Sequence, residues 1–262
     1  MAIDTPATLG IIGAGPAGLE AALYARFLGY DVLLFESGEV AERVQGNEFI
    51  GLFGDLSSTL GRAAIAAQDP NHQMPRLTDS LDCKQWRERY WLPLAECDLV
   101  SDSIRQGMKV TRIAKEHLEK DEVLGFDRAA YDFVLELADT KNGTTQLTVD
   151  AVIDASGSEL RDGVPLADFS FAAALDLRID PQTGLPTTKS GYGDELPDAT
   201  KLTEDSKKLI LFEPNYYVIG SKSRPFEKLS HVAILEQIRA VFTILGDRTS
   251  LDLYATAVTL PQ

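Results

Sequence analysis

Three glycines and one glutamate form the clearest chemical pattern in the sequence. Gly13, Gly15 and Gly18 have the spacing GxGxxG, and Glu36 follows 18 residues after Gly18. In this pattern the first glycine permits a tight turn, the second lets the backbone approach a pyrophosphate, and the third lets a helix pack closely on a sheet. The glutamate accepts hydrogen bonds from the hydroxyls of an adenosine ribose, and its charge disfavours a 2′-phosphate. The spacing therefore predicts a dinucleotide site that disfavours NADP.

The surrounding residues predict the elements that this motif requires. Residues 8–12 (TLGII) form a short apolar run that is typical of a buried strand, and residues 19–28 are rich in alanine and leucine and predict a helix. Gly29 is its predicted C-cap, and residues 31–36 predict a second strand. The motif thus lies on a strand–turn–helix–strand unit whose helix N-terminus offers free N–H groups to phosphates.

The rest of the chain alternates strands and helices around an inserted hairpin. This order predicts an α/β fold with a mostly parallel sheet and an antiparallel hairpin layer. Residues 158–206 carry many Asp, Gly, Pro and Thr, and they predict a long, mostly irregular connection. The other predicted features are a helix over 62–68, a helix over 78–96 kinked at Pro93, strands over 109–113, 131–137, 146–149 and 151–155, a hairpin turn at 141–144, apolar runs at 209–212 and 216–219, and a helix over 229–245.

The composition limits the class of protein. The chain has 262 residues, which is enough for one large domain or two small ones, and its net charge is −15. Such an acidic protein is not expected to bind nucleic acid or an anionic membrane surface. No apolar run is long enough to span a bilayer, and the first residues lack the features of a signal peptide. We therefore expect a cytoplasmic protein.

The cysteines and histidines predict neither a redox dithiol nor a metal site. Cys83 and Cys97 lie fourteen residues apart and form no CxxC pair. The three histidines, at 72, 117 and 231, do not combine with them in any zinc-binding spacing. Both cysteines are expected to be small buried apolar groups.

Three stretches carry a family resemblance. Residues 11–37 (IIGAGPAGLEAALYARFLGYDVLLFES) resemble the N-terminal FAD-binding segment of the two-dinucleotide-binding-domain flavoproteins, which include glutathione-reductase-like enzymes and flavin-dependent monooxygenases. Residues 149–157 (VDAVIDASG) are similar to the family's strand ending in Ala-Thr-Gly, with Ser156 in place of the threonine. Residues 213–223 (EPNYYVIGSKS) resemble the late strand ending in Gly-Asp, with Ser221 in place of the aspartate that bonds the ribityl chain. The resemblance implies FAD as the cofactor and a Rossmann-like FAD-binding domain of the glutathione-reductase type.

The motif and the resemblance together predict the residues of the site. Lys222 follows the flavin-loop glycine and is a candidate cation for the N1/O2 edge of the flavin, although a solvated lysine or a phosphate contact is an alternative. His231 lies near the start of the last predicted helix and is a candidate acid/base, although packing is the more ordinary role for such a histidine. The residues expected to bind the cofactor are Gly13, Gly15, Pro16, Ala17, Gly18, Glu36, Ser37, Arg43, Val110, Ala155, Ser156, Gly157, Gly220 and Ser221.

One departure from the family pattern concerns the second dinucleotide domain. In the family an NAD(P)H domain lies between the second and third of these stretches, but here only 51 residues separate Gly157 from Leu209. They contain no second strand–GxGxxG–helix unit, and a domain needs about 100 residues. We therefore expect residues 1–262 to form a single FAD-binding domain in which 158–206 is a linker. The flavin's electrons must then come from the substrate, from a partner reductase, or from NAD(P)H that visits the flavin briefly.

These observations predict a FAD-dependent oxidoreductase that acts on a small molecule, of oxidase, dehydrogenase or monooxygenase type. Two alternatives remain open. The first is a FAD-binding subunit or regulatory module that needs a partner reductase. The second is a thiazole-synthase-like enzyme that uses a dinucleotide as its substrate. Because the missing domain would leave apolar surface uncovered, we also expect a homodimer or a partner chain.

Overall fold

Five parallel strands form the largest sheet among the residues that the computed structural model describes, which are 3–45, 56–76, 79, 81–139, 143–161, 164–188, 207–224, 230–246 and 252–256. The order in this sheet is β10-β7-β1-β2-β3, and every neighbouring pair is parallel. A second sheet of three antiparallel strands has the order β4-β5-β6, and β8 and β9 form a separate hairpin. The strands are β1 (Thr8–Ile12), β2 (Asp31–Glu36), β3 (Ile104–Gln106), β4 (Met108–Lys115), β5 (Phe133–Asp139), β6 (Gly143–Val149), β7 (Ala151–Asp154), β8 (Glu159–Arg161), β9 (Val164–Leu166) and β10 (Tyr216–Val218).

The helices cover the face of the parallel sheet opposite to the antiparallel layer. They begin with α1, which contacts both β1 and β2, and the long helix near the C-terminus packs against α1. The helices are α1 (Pro16–Leu28), α2 (Thr59–Gln68), α3 (Cys83–Trp86), α4 (Leu92–Glu96), α5 (Asp98–Ser101), α6 (His231–Gly246) and α7 (Leu253–Thr256). The fold is therefore the predicted α/β architecture, with a parallel sheet and an added antiparallel layer.

Strand β1 occupies the centre of the parallel sheet. It pairs with β2 on one side and with β7 on the other, and the side chains of Leu9 and Ile11 are fully buried. Both faces of the strand are covered, which is why its sequence is a continuous apolar run. Gly10 faces the antiparallel layer, where a Cβ atom would lie 3.0 Å from Leu135 and 3.1 Å from Val149. The two sheets can therefore approach this closely because residue 10 has no side chain.

Helix α1 ends at Leu28, as the sequence predicts, but begins at Pro16, three residues before the predicted start. Pro16 stands in the first turn, where its missing N–H group costs nothing. Gly29 adopts a left-handed conformation with φ of 90°, and its N–H group bonds the carbonyls of the last turn. This C-cap redirects the chain into β2, which begins at Asp31.

The helix predicted over 78–96 is a composite one. α3 and α4 are joined by one π-helical turn, Arg87–Trp91, directly before the predicted kink at Pro93. Proline has no N–H group to bond the carbonyl of residue 89, four positions earlier. The ring Nε2 of His72 donates to that Arg89 carbonyl at 2.9 Å instead. The irregular turn is thus compensated by a side chain from a neighbouring segment.

The connection between β7 and β10 differs in part from the prediction. The short hairpin of β8 and β9 occupies its beginning, where an irregular segment was expected. Three-residue strands are too short to give a sequence pattern, and the same reason explains why β3 was not predicted. Within the described part of this connection there is no second strand–helix unit of the kind that binds a nucleotide. Residues 141 and 142 of the turn predicted at 141–144 lie outside the described residues, and residues 143 and 144 belong to β6.

A buried ion network joins the antiparallel layer to the segment before β10. The Arg128 guanidinium donates from Nε at 3.1 Å and from Nη2 at 2.9 Å to the same carboxylate oxygen of Glu213, and all atoms of both side chains are buried. Nζ of Lys115 lies 4.0 Å from the other oxygen, and the Asp176 N–H donates to the carboxylate at 2.9 Å. Burial lowers the pKa of Lys115 to about 8. The network fixes β4 against the chain that leads into β10.

Candidate functional site

Four turns converge at one edge of the parallel sheet. Because β1, β2, β7 and β10 run in the same direction, their carboxyl ends meet there, and ligands of open α/β sheets bind at this edge. Backbone hydrogen bonds continue between the turns beyond the strand ends, from Gly13 N to Phe35 O at 2.7 Å, from Ala155 N to Ile12 O at 2.9 Å, and from Ile219 N to Asp154 O at 3.0 Å. The turns are thereby held in fixed relative positions.

The three motif glycines play three different structural roles. Gly13 has φ of 96°, and a Cβ there would lie 2.7 Å from the Ala155 carbonyl oxygen. A Cβ on Gly18 would lie 1.8 Å from the Gly13 carbonyl oxygen, so only glycine permits this helix–turn contact. A Cβ on Gly15, in contrast, would meet no atom within 4 Å. Gly15 is the N-cap of α1 and no side chain caps this helix end. The turn therefore offers open space and uncapped N–H groups to a phosphate.

The Glu36 carboxylate lies beside the same turn. Its Oε2 accepts a hydrogen bond from the Ala14 N–H at 2.8 Å, and its Oε1 accepts one from the Gly38 N–H at 2.8 Å. A carboxylate has about four acceptor positions, so both oxygens retain capacity for ribose hydroxyls. The exposed Ser37 hydroxyl lies 3.4 Å from Oε1. The backbone thus fixes the carboxylate in the position that the motif predicts for a ribose.

The remaining predicted residues lie on the other turns, except one. The exposed Arg43 side chain reaches across the edge and donates to the Ser156 carbonyl at 3.3 Å. Gly157 has φ of 76°, and a Cβ there would lie 3.3 Å from Oγ of Ser221. Val110 is buried beside a bulge of β4, in the apolar core between the two sheets. The structure therefore brings the other predicted residues together at the sheet edge and places the Val110 side chain in the core.

A comparison with protein families identifies this arrangement. The family model for pyridine nucleotide-disulphide oxidoreductase matches residues 8–220. The chain belongs to this family. It carries the FAD-binding domain of these flavoproteins and has FAD as its cofactor. The described residues between Gly157 and Leu209 contain no second strand–helix unit of the kind that binds NAD(P)H. The open turn at Gly15, the uncapped start of α1 and the fixed Glu36 carboxylate fit the pyrophosphate and ribose of FAD.

The chain is also similar to individual proteins of solved structure, and the first of those that follow has the same fold. The flavoprotein is similar to bacillithiol disulfide reductase Bdr from Bacillus cereus, with 12% identity and a TM-score of 0.60 over 93% of this chain and 100% of that one. It is also similar to THI4 from Thermovibrio ammonificans, with 15% identity and a TM-score of 0.49 over 90% of this chain and 88% of that one. A FAD-bound form of OTEMO gives 20% identity and a TM-score of 0.41 over 61% of this chain and 27% of that one. No curated protein matches the sequence.

Lys222 is placed differently from the prediction. Its ammonium group is fully buried, donates to Oδ2 of Asp154 at 2.6 Å, and lies 4.3 Å from the ring centres of Phe169 and Phe171. The Tyr216 hydroxyl donates to the same carboxylate oxygen at 2.8 Å. The charge of Lys222 is therefore neutralised inside the protein, whereas the predicted flavin role requires a cation offered to the ligand. The sequence analysis missed its partner Asp154, although an acid at the end of a buried strand was a visible signal.

His231 lies behind α1 in a buried polar cluster. Its ring packs edge-on against Trp91, and its Nε2 is 4.0 Å from Oε1 of Glu20. The Tyr90 hydroxyl donates to this Glu20 oxygen at 2.9 Å, whereas Oε2 of Glu20 and Nε1 of Trp91 have no hydrogen-bond partner among the described residues. Sequence reasoning missed Glu20, although it is the one acidic residue of α1. The histidine is thus 5% exposed and faces Glu20.

Replacing Glu20 by glutamine is expected to flatten the pH dependence of stability. Burial raises the pKa of Glu20 from 4.5 to about 7, and hydrogen bonds from Ser58 and Tyr90 offset part of the increase. The folded state therefore favours the protonated carboxyl. The protonated Glu20 carboxyl stabilises the folded chain fully below pH 4.5, which is the pKa of the group in the unfolded chain. This stabilisation is lost as the pH rises through about 7, the pKa in the folded chain. Between these two pH values the free energy of unfolding of the wild type should fall by up to about 3 kcal/mol. Urea unfolding at several pH values would measure this loss.

The control for this prediction is Glu88→Gln on the exposed face of the π-helical turn. That variant should keep the wild-type slope of unfolding free energy against pH, because it leaves the buried Glu20 carboxyl and its surroundings unchanged. Equal slopes in the wild type and the Glu20 variant would contradict the prediction.

Neither a metal site nor a redox dithiol is seen in the described residues. No group of three or more His, Cys, Asp or Glu side chains there is arranged to hold a metal ion. Cys83 and Cys97 are both free thiols, and burial raises the pKa of Cys97 to about 11. A thiol with such a pKa is a poor nucleophile at neutral pH. In the same part of the chain, no helix combines the length and apolarity that crossing a bilayer requires.

Proposed function

We propose that this flavoprotein is an oxidoreductase whose FAD is reduced by a small-molecule substrate or by a separate reductase. The observation that carries the proposal is the sheet edge, where the open Gly15 turn and the fixed Glu36 carboxylate fit FAD. A second observation concerns the electron source. Only 51 residues separate Gly157 from Leu209, and their described part has no second nucleotide-binding unit. Oxidase, dehydrogenase and monooxygenase chemistry all agree with this arrangement.

The residues of the chain bind and orient the cofactor in this proposal. The first turn of α1 presents its N–H groups and positive dipole end to the pyrophosphate, while Glu36 accepts hydrogen bonds from the ribose. The turn at Gly220 closes the edge from the side of β10, because a Cβ there would lie 3.1 Å from Cβ of Ala17. Bound FAD supplies the redox chemistry itself.

The test is the visible spectrum of the purified protein, followed by additions of NADH, NADPH and air. We expect flavin bands at ~450 nm that neither nucleotide bleaches promptly, because the described residues include no second nucleotide-binding unit to align a hydride donor. Substrate or a reductase should then bleach them. Prompt bleaching by a nicotinamide would contradict the proposed electron source. A colourless protein that FAD cannot reconstitute would contradict the function as a whole.

Three further observations on the purified protein separate the two alternatives. A flavin that light cannot reduce, or a reductase chain that purifies with the protein, would indicate a subunit or regulatory module. An ADP-ribose adduct released on denaturation would indicate an enzyme that consumes a dinucleotide as its substrate. Light scattering at micromolar concentration would test the accompanying proposal that a second copy or another partner chain binds the protein.

A further inference from the structure

The turn that follows β10 is shaped by hydrogen bonds from its own residues. Residues Gly220–Lys222 form a single 3-10 turn, and both N and Oγ of Ser223 donate to the Gly220 carbonyl, at 3.1 and 2.7 Å. Gly220 has φ of 71° and lies close to Ala17 in the first turn of α1. On the other side, the Ser158 N–H donates to Oγ of Ser221 at 3.3 Å. The turn thus contacts both the phosphate-binding helix and the chain that follows β7.

Gln237 of α6 completes this turn from outside. Its Oε1 accepts a hydrogen bond from the Gly220 N–H at 2.8 Å, and its Nε2 donates to Oγ of Ser223 at 2.9 Å. The side chain is 7% exposed, so these two bonds replace the water that the amide would otherwise bind. The oxygen and the nitrogen of the buried Gln237 amide therefore both bond to the same turn, residues 220–223.

The helix that carries Gln237 is well anchored. Ile234, Ile238 and Val241 are buried in the main core, and the Phe242 ring stacks on Tyr24 of α1 at 5.1 Å between ring centres. Helix α1 is also the helix whose N-terminus faces the pyrophosphate position. Gln237 therefore holds the turn against the same rigid body that carries the phosphate-binding residues.

We propose that Gln237 is a positioning residue for FAD, which holds residues 220–223 in the conformation that receives the cofactor. The proposal rests on the FAD-dependent function above. Without the amide, the buried Gly220 N–H group loses its partner, which destabilises the closed turn. Opening of the turn then becomes more favourable, because water can bond the N–H group. FAD would then bind a conformation that is only partly populated, and its apparent affinity would fall by that fraction.

The test compares FAD dissociation constants of the flavin-free full-length chain by titration. Gln237→Met keeps the side-chain volume and removes both bonds, so we expect FAD to bind about tenfold more weakly. Ser223→Ala removes both bonds of Oγ, to Gln237 and to the Gly220 carbonyl. Its effect should be smaller, because the buried Gly220 N–H keeps its bond to Gln237 and the Gly220 carbonyl keeps its bond from the Ser223 N–H. Ile238→Val is the control, since it trims the neighbouring fully buried side chain of α6 without removing any contact of the turn.

A double-mutant cycle between positions 223 and 237 gives a readout that general destabilisation would not move. The effects of Gln237→Met and Ser223→Ala on FAD affinity should be strongly non-additive, whereas those of Ile238→Val and Ser223→Ala should add. The visible spectrum of bound FAD should also change in the Gln237 variant and not in the Ile238 variant. Additive effects, or equal losses in the Gln237 and Ile238 variants, would overturn the proposal. Failure of the wild type to bind FAD would overturn the proposed function instead, and if Gln237→Met does not fold, Ser223→Ala alone decides.

Discussion

Replacing Gly15 by valine should weaken FAD binding by about a hundredfold or more while the fold is retained. The backbone at Gly15, with φ of −82° and ψ of −173°, is accessible to any residue, and its Cβ would meet no protein atom within 4 Å. The Cβ of a valine would therefore enter the open space that we assign to the pyrophosphate. FAD titration would measure the affinity, and thermal unfolding of the flavin-free chain should show a melting temperature close to that of the wild type.

The matched control for Gly15 is Gly18, three residues along the same helix. A Cβ at Gly18 would lie 1.8 Å from the Gly13 carbonyl oxygen, which is backbone and cannot move aside alone. Gly18→Ala should therefore lower the free energy of unfolding by about 3 kcal/mol or more with or without FAD. If Gly15→Val destabilised the flavin-free chain as much as Gly18→Ala does, the open space at Gly15 would not be a ligand position.

Replacing Arg128 by methionine should lower the free energy of unfolding by about 3–5 kcal/mol. The substitution removes the guanidinium that bonds the fully buried Glu213 carboxylate and leaves that charge with Lys115 at 4.0 Å and the Asp176 N–H. Two weaker partners do not replace a charge-assisted contact made through two nitrogens. Urea unfolding followed by circular dichroism would measure the loss as a lower midpoint with an unchanged slope.

An exposed ion pair on the same antiparallel layer supplies the control for Arg128. Nη1 of Arg112 lies 3.1 Å from Oε1 of Glu136, and the Arg112 side chain is 52% exposed. Arg112→Met should lower the free energy of unfolding by less than about 1 kcal/mol, because solvent screens such a pair. Equally small losses in both variants would show that the Glu213 carboxylate finds other compensation in the folded chain.

The elements of the fold that form between residues close together in the sequence were predictable from the sequence. The first strand–turn–helix–strand unit lies within about thirty consecutive residues, and its glycines occupy positions where the structure excludes or does not need a side chain. The β5–β6 pair was predictable for the same reason, since its strands alternate and follow one another directly. In contrast, β3 and the β8–β9 pair have three residues per strand, and pairing rather than local pattern determines them.

The candidate site was predictable where a backbone motif defines it and not where side chains meet from distant segments. Gly13, Gly15, Gly18 and Glu36 lie where their spacing predicts. The role of Lys222 depends on Asp154, which is 68 residues away, and the residue number alone does not show that the two side chains meet inside the protein. The bonds from Gln237 to the Gly220 turn are likewise a product of how α6 packs.

The position of β1 in the middle of the sheet determines the order in which the chain can assemble. β1 pairs with β7 at residues 151–154, and α1 packs against α6 at residues 231–246. The first thirty-six residues therefore expose both faces of an apolar strand and one side of an apolar helix until segments far along the chain have been synthesised. Contacts so distant in sequence make folding slow, because the loops between them must close first. The nucleotide-binding motif is thus synthesised well before the strand and the helix that complete its surroundings, and it acquires its structure only after residues 231–246 have emerged.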